Sequence, residues 1–153
     1  MAFPPLGIQT LAPVLRQYGH EVRMFDTCHP RMRAEDIAQA ARHERPGVIA
    51  LSFLSVTAYP ALKKAARQIK DAHPEIPIIV GGAFATINPD RILEDCDFID
   101  HVGAGEGEEL LPDYLAHLGD PASVAGLSWR ASGKVVRKPP RSLVRALDRF
   151  PYS

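Results

Sequence analysis

Cysteine is scarce in this chain: Cys28 and Cys96 are the only two in 153 residues. Two are too few for a disulfide framework, and no Cys-x-x-Cys or Cys-x3-Cys-x2-Cys spacing occurs, so the chain brings no zinc or iron–sulfur site of its own. Charge of one sign is also missing. Eighteen Lys and Arg balance 18 Asp and Glu, which removes the electrostatic attraction that nucleic acid or an anionic membrane would exert. No apolar run approaches the roughly 20 residues needed to span a bilayer. The opening "MAFPPLGIQT" lacks the basic-then-apolar order of a secretory leader. Nucleotide fingerprints are absent too, since no Gly-x-Gly-x-x-Gly follows a first strand and no phosphate-loop Lys-Ser/Thr exists. These absences lead to the expectation of a cytoplasmic protein with no nucleic-acid and no membrane partner.

What remains is an ordinary globular composition, 46% apolar and 24% charged, at a length that suits one domain with a core of its own. "LGIQTLAPVLRQYG" has helical spacing at Leu6, Leu11, Val14 and Leu15, with Pro13 as a flaw, and closes on Gly19. "HEVRMFD" reads as a short strand and "AEDIAQAARHERP" as an amphipathic helix. "GVIALSF" is a continuous apolar strand, and "AYPALKKAARQIKDAHP" is a helix whose Lys63, Lys64, Arg67 and Lys70 read as a solvated basic face. "IPIIVGG" is the next strand. "NPDRILEDC" is a shorter helix, with Asn88 as N-cap and Pro89 in its first turn. "DFIDHV" gives a strand, "EELLPDYLAHLG" a helix, and "GLSWRASGKVVR" a hairpin around a Ser-Gly turn, with Trp129 packed on it. Cys96 reads as an inert thiol.

Strands that alternate with helices and are apolar throughout predict an α/β fold, a doubly wound, flavodoxin- or Rossmann-like parallel sheet with helices on both faces, extended by a C-terminal β-hairpin. The expected divisions are 1–120 for the α/β domain, 121–140 for the hairpin of the same domain, and 141–153 for a linker toward a further module. A first strand ahead of the opening helix is missing from the pattern. The chain reads as though it starts inside the first strand-to-helix connection, which would force "EVRMF" and "VIALS" to pair directly or leave a slot for strand exchange in a homodimer.

Ligands of open α/β sheets bind at the carboxyl ends of the strands. Three segments leave strands there: Ser52-Phe53-Leu54-Ser55, Gly81-Gly82-Ala83, and the run Gly103-Ala104-Gly105-Glu106-Gly107-Glu108. Taken singly each has a plain explanation, respectively a helix cap, a tight turn, and a turn with acidic residues at a helix start. Their spacing adds information. Residues 55–80, 26 in number, separate Leu54 from Gly81, the length of one helix and one strand, which puts Ser-x-Leu and Gly-Gly on adjacent strand ends.

That pairing resembles the cobalamin (vitamin B12)-binding domain. More closely, "PPLGIQTLAPVLRQYGHEVRMFD", "GVIALSFLS", "IPIIVGGAFAT", "GEGEE" and the trailing "GLSWRASGKVVRKPPR" with "LDRFPY" resemble the cobalamin domain found N-terminal to the radical S-adenosylmethionine (radical SAM) domain in cobalamin-dependent enzymes. The resemblance implies a cofactor-binding set of Ser52, Phe53, Leu54, Ser55, Gly81, Gly82, Ala83, Gly105, Glu106 and Gly107. Ser52 would hold the cofactor's nucleotide tail and Leu54 would pack near it. Gly81 and Gly82 would leave room for its flat base. It further implies cobalamin as cofactor and a radical SAM domain as partner, in cis or in trans. With no iron–sulfur triplet the chain would not be catalytic alone.

Two departures stand out. The family's Asp-x-His-x-x-Gly is imitated only poorly by Asp26-Thr27-Cys28-His29, which also follows the wrong strand, so His29 reads as a loop histidine and not a cobalt ligand. Ala104 stands where relatives commonly carry arginine. The competing readings are a cofactor-less interaction or regulatory domain of the same fold, and a flavodoxin-like domain for another ligand.

Overall fold

The structure is a computed structural model that describes residues 6–26 and 32–139. The helix α1 (Leu6–Gln17) carries Pro13 in its interior, and Gly19 follows it at φ +84°. Next come α2 (Ala34–Glu44), β1 (Ile49–Ser52), a 3-10 turn at Val56–Ala58 and α3 (Tyr59–Ala72). β2 (Ile78–Gly81) leads into a five-residue helix, α4 (Ala83–Ile87), and then α5 (Pro89–Asp95). β3 (His101–Gly103), α6 (Gly107–Ala116), β4 (Leu127–Ala131) and β5 (Lys134–Arg137) complete the order. The linker expected at 141–153, and Cys28 and His29, lie outside the described residues.

One sheet runs β1-β2-β3-β4-β5. β1, β2 and β3 are parallel, in a register that sets Ile49 against Ile78, Ser52 against Gly81 and Val80 against Val102. The hairpin joins the same sheet antiparallel, with His101 opposite Trp129 and Gly103 opposite Leu127. Its turn, Ser132-Gly133, has positive φ at both residues, 50° and 74°, the backbone twist that two-residue hairpins favour.

β2 is apolar throughout because both of its faces are covered. Ile78 and Val80 face a core built with Ile37, Ala41, Leu62, Ala66, Ile69, Ile92 and Leu93, from α2, α3 and α5. Ile79 points the other way, into Leu15, Leu110, Leu111, Tyr114 and Leu127. Consecutive strand residues therefore serve opposite layers, as the pleat requires. Trp129 packs at the margin of the second core, and Cys96 is a fully buried free thiol.

Three expectations are corrected. "HEVRMFD" forms no strand: residues 20–26 are tied down by Arg16 donating to the Val22 carbonyl (3.1 Å) and by an Arg23–Glu44 ion pair. Val22 and Phe25 pack into the two opposite cores. A strand needs a neighbour to complete its ladder, and none of the described strands runs beside it. Direct pairing of this segment with β1 does not occur, and β1 is an edge strand with Ala50 and Ser52 exposed. Secondly, the Asn88 side chain does not cap α5 but turns back to donate to the Phe84 carbonyl at 3.1 Å, closing α4. Thirdly, the basic face of α3 is engaged in part, with Lys64 and Arg67 exposed as expected. Lys70 pairs with Asp100 at 2.8 Å, Arg67 with Asp97 at 2.9 Å while lying over Phe98, and Lys63 sits 5.3 Å from the Tyr59 ring centre.

Candidate functional site

The carboxyl ends of β1, β2 and β3 present short, side-chain-poor loops. Ser52 ends β1 and is exposed. Phe53 turns inward and is buried, and Leu54 points out, 80% exposed. The Ser55 hydroxyl makes no cap to the following turn but lies 2.7 Å from the Thr57 hydroxyl. Phe53 belongs to an aromatic cluster. Its ring stacks on Tyr59 at 5.8 Å and meets Phe84 at 5.2 Å, and Tyr59 lies 5.3 Å from Phe84. Beneath that cluster the Tyr59 hydroxyl donates to Asp95 (3.3 Å) and lies 3.7 Å from Cys96 Sγ. Burial raises the pKa of both Tyr59 and Cys96, so each stays neutral.

The two glycines that follow β2 do different things. Gly82 has φ +105°, and a Cβ there would lie 2.3 Å from the Phe53 carbonyl oxygen. Its missing side chain is used up by close approach of the turn to the β1 loop. Gly81 is less crowded: a Cβ there would make only an ordinary contact, with the Gly103 carbonyl oxygen at 4.0 Å. Ala83, exposed, begins α4.

The loop after β3 carries Gly105 at φ +101°, with nothing within 4 Å of a Cβ placed there. Its amide donates to the Thr86 hydroxyl at 3.1 Å. Glu106 is exposed at the N-cap of α6. Gly107 lets α6 approach α1, since a Cβ there would fall 2.9 Å from a Leu11 methyl. Close by, Thr10 donates to Glu108 at 2.6 Å. Ala104 is half-buried, its amide bound to the Gly126 carbonyl.

The fold thus brings Ser52, Leu54, Gly81, Ala83, Gly105 and Glu106 to one edge with solvent access. Phe53 and Gly107 support that edge from beneath, and Gly82 locks two of its loops together. Sequence reasoning missed Phe84 and Thr86, because "AFAT" reads only as small residues after a turn. The signal was available in the helical return from Gly82 to Thr86, four residues on. Among the described residues no cluster of His, Cys, Asp or Glu could hold a metal ion, and no helix is long and apolar enough to cross a membrane. Two other clefts lie away from this edge. One of about 750 Å³ sits between α2 and α3, lined by Glu35, Arg42, Gln68 and Asp71, and one of about 380 Å³ sits at the amino ends of the strands, by Lys70, Asp100 and His101.

A mostly parallel sheet flanked by helices, with glycine-rich loops at the carboxyl edge, defines an α/β domain of the kind that takes ligands at its strand ends. The family model described as the B12 binding domain matches residues 2–115, and the chain belongs to that family. An uncharacterized methyltransferase of Pyrococcus horikoshii is 30% identical over 151 residues, covering 97% of this chain and 32% of that protein. The anaerobic magnesium-protoporphyrin IX monomethyl ester cyclase of Synechocystis is 25% identical over 149 residues, covering 95% of this chain and 30% of the cyclase. The radical S-adenosylmethionine methyltransferase TsrM of Kitasatospora setae, solved with cobalamin and a 4Fe–4S cluster bound, superposes with a TM-score of 0.77. At 20% identity over 99% of this chain and 29% of TsrM, that likeness shows the fold. The chain spans about a third of the length of the curated relatives it matches.

Proposed function

We propose that the chain is a cobalamin-binding module that works with a radical SAM domain, in cis or in trans, in a cytosolic enzyme of methyl transfer or radical-based cyclisation. One observation carries the reading: the carboxyl end of β2 stops on Gly81, where a Cβ would meet only the Gly103 carbonyl oxygen at 4.0 Å, while the adjoining Gly82 is pinned on Phe53. Space kept free at a strand end by a missing side chain suits the flat base of a nucleotide tail. Ser52 supplies a hydroxyl at the neighbouring strand end, and Leu54 and Ala83 supply exposed apolar surface. Gly105 and Glu106 form the opposite rim, with Gly107 packed beneath it against Leu11. When bound, cobalamin supplies a cobalt centre able to carry a methyl group or assist radical chemistry. The chain's own part is to hold and orient that group.

The test is to incubate the protein with hydroxocobalamin, remove the excess and record the visible spectrum. Retained corrinoid absorbance is the expected result, and its absence sinks the reading. Gly81→Val should lose at least tenfold in retention at unchanged helix content, because the new side chain occupies the space that the glycine leaves free and leaves the Phe53 contact alone.

A second element concerns β1, whose outer edge pairs with no strand among the described residues and exposes Ala50 and Ser52. A strand exchanged from a second copy would complete the ladder there. Light scattering should then give the mass of two chains, and a single-chain mass at all concentrations rejects this element. A cofactor-less domain that acts by protein contact through the same edge would show dimer without corrinoid.

A further inference from the structure

Strand pairing between β2 and β3 ends at their carboxyl edge, and the segments beyond, residues 81–87 and 103–107, run side by side there. A single side chain bridges them. Thr86 lies one turn after Gly82 in α4, where its amide and its hydroxyl both donate to the Gly82 carbonyl, each at 3.0 Å. The same hydroxyl accepts the Gly105 amide at 3.1 Å. One oxygen therefore joins the Gly82 turn to the loop after β3. The turn itself is fixed from the other side, since Gly82 abuts the Phe53 backbone. The loop is held less firmly: Gly105 is exposed, has φ +101° and has no neighbour within 4 Å of a Cβ position.

From this geometry we infer that Thr86 is a positioning residue, whose hydroxyl pins the Gly105 loop to the rigid Gly82 turn and so sets the width of the cleft at Gly81. The inference rests on the proposed corrinoid site for its functional consequence, but not for the pinning itself. Loss of the hydroxyl frees the Gly105 amide to exchange with water and lets the rim drift from the turn. The hydrogen bond is neutral and solvent-exposed, so its removal should weaken ligand binding by about three- to tenfold without unfolding the domain.

The experiment compares Thr86→Val, which keeps the shape and removes the hydroxyl, with Thr86→Ser, which keeps the hydroxyl. Amide exchange at Gly105 is followed by NMR, hydroxocobalamin affinity by its visible spectrum, and folding by circular dichroism. The expected result is rapid exchange at Gly105 and about three- to tenfold weaker affinity in Thr86→Val, with both restored in Thr86→Ser at the same melting temperature. Unchanged Gly105 exchange in Thr86→Val overturns the inference. So does a Thr86→Ser variant as impaired as Thr86→Val, which would assign the role to the methyl group. Faster exchange with unchanged affinity also overturns it, as the pin would then not set the cleft. If the wild-type protein retains no hydroxocobalamin, the proposed function fails, while the exchange pattern across the two variants still decides the pin.

Discussion

The two ends of the parallel strands are built from opposite materials. At the amino edge, long charged side chains are spent on neighbouring backbone. Lys70 donates to the Ile76 carbonyl and to Asp100, and Asp100 in turn accepts the Ile78 amide at 2.7 Å. Arg130 reaches the carbonyls of Leu93, Cys96, Asp97 and Ile99. At the carboxyl edge the loops are closed by glycines, short hydroxyl side chains and the backbone, and apolar side chains such as Leu54 and Ile87 are left exposed. The contrast separates a bonded edge from an open one within one sheet. The amino edge ties the helix-to-strand connections down, and the carboxyl edge leaves surface open, which is where open α/β sheets place their ligands.

The largest effect should come from Gly82, where the carboxyl edge is packed against backbone and not against the end of a flexible side chain. Gly82→Ala places a Cβ against the Phe53 carbonyl and forces a non-glycine residue to φ +105°. The cost should be about 3 kcal/mol or more, from a strained backbone combined with a backbone clash. Urea unfolding measures it, and a midpoint near that of the wild type would show that the turn can shift away from Phe53. Gly81→Val, one residue earlier, should leave the same midpoint nearly in place. The family pattern treats Gly-Gly as one feature, but here Gly82 abuts the Phe53 backbone and Gly81 does not.

Arg130→Met breaks the amino edge in turn. It removes a donor from carbonyls at the end of α5 and the entry to β3, in partly buried surroundings. A loss of about 2 kcal/mol is expected, since water can reach some but not all of these oxygens. The same unfolding measurement reads it, with hydroxocobalamin retention as control. Retention that falls in step with stability would mean that the two edges are not separable.

The central pattern was legible because its physics is local. Helical spacing in "AEDIAQAARHE" and the apolar runs ahead of Ser52 and Gly81 gave α2, β1 and β2, and Ser132-Gly133 gave the hairpin. The spacing from Leu54 to Gly81 brought two of the three loops together correctly. What was not legible depends on partners distant in sequence. Residues 21–25 have strand composition, yet a strand forms only where another lies beside it. Lys70 looks solvated until Asp100 folds against it. Gly82 looks like cleared space until the Phe53 carbonyl is found 2.3 Å from where its Cβ would be.

The smallest expected effect is a pH dependence at the amino edge. His101 stands at the start of β3, its Nδ1 3.0 Å from the Tyr114 hydroxyl and its ring edge-on to that of Tyr114. Burial holds its pKa below the usual 6.5; Asp100 opposes that shift, and Arg130 and Lys70 add to it. Tyr114, pushed up to about 12 mainly by burial, stays neutral over the range of interest. Between the lowered folded value and 6.5, the unfolded chain therefore binds more protons than the folded one. Stability should rise with pH across that window, be complete above it, and be lost on acidification through it. Melting temperatures taken from pH 7.5 to pH 5 should fall in the wild type and fall less in His101→Gln, which keeps a polar partner for Tyr114. Equal slopes in the two proteins would show that His101 is no more buried than the unfolded chain's histidines, and would remove one member from the closed network that sets this edge apart.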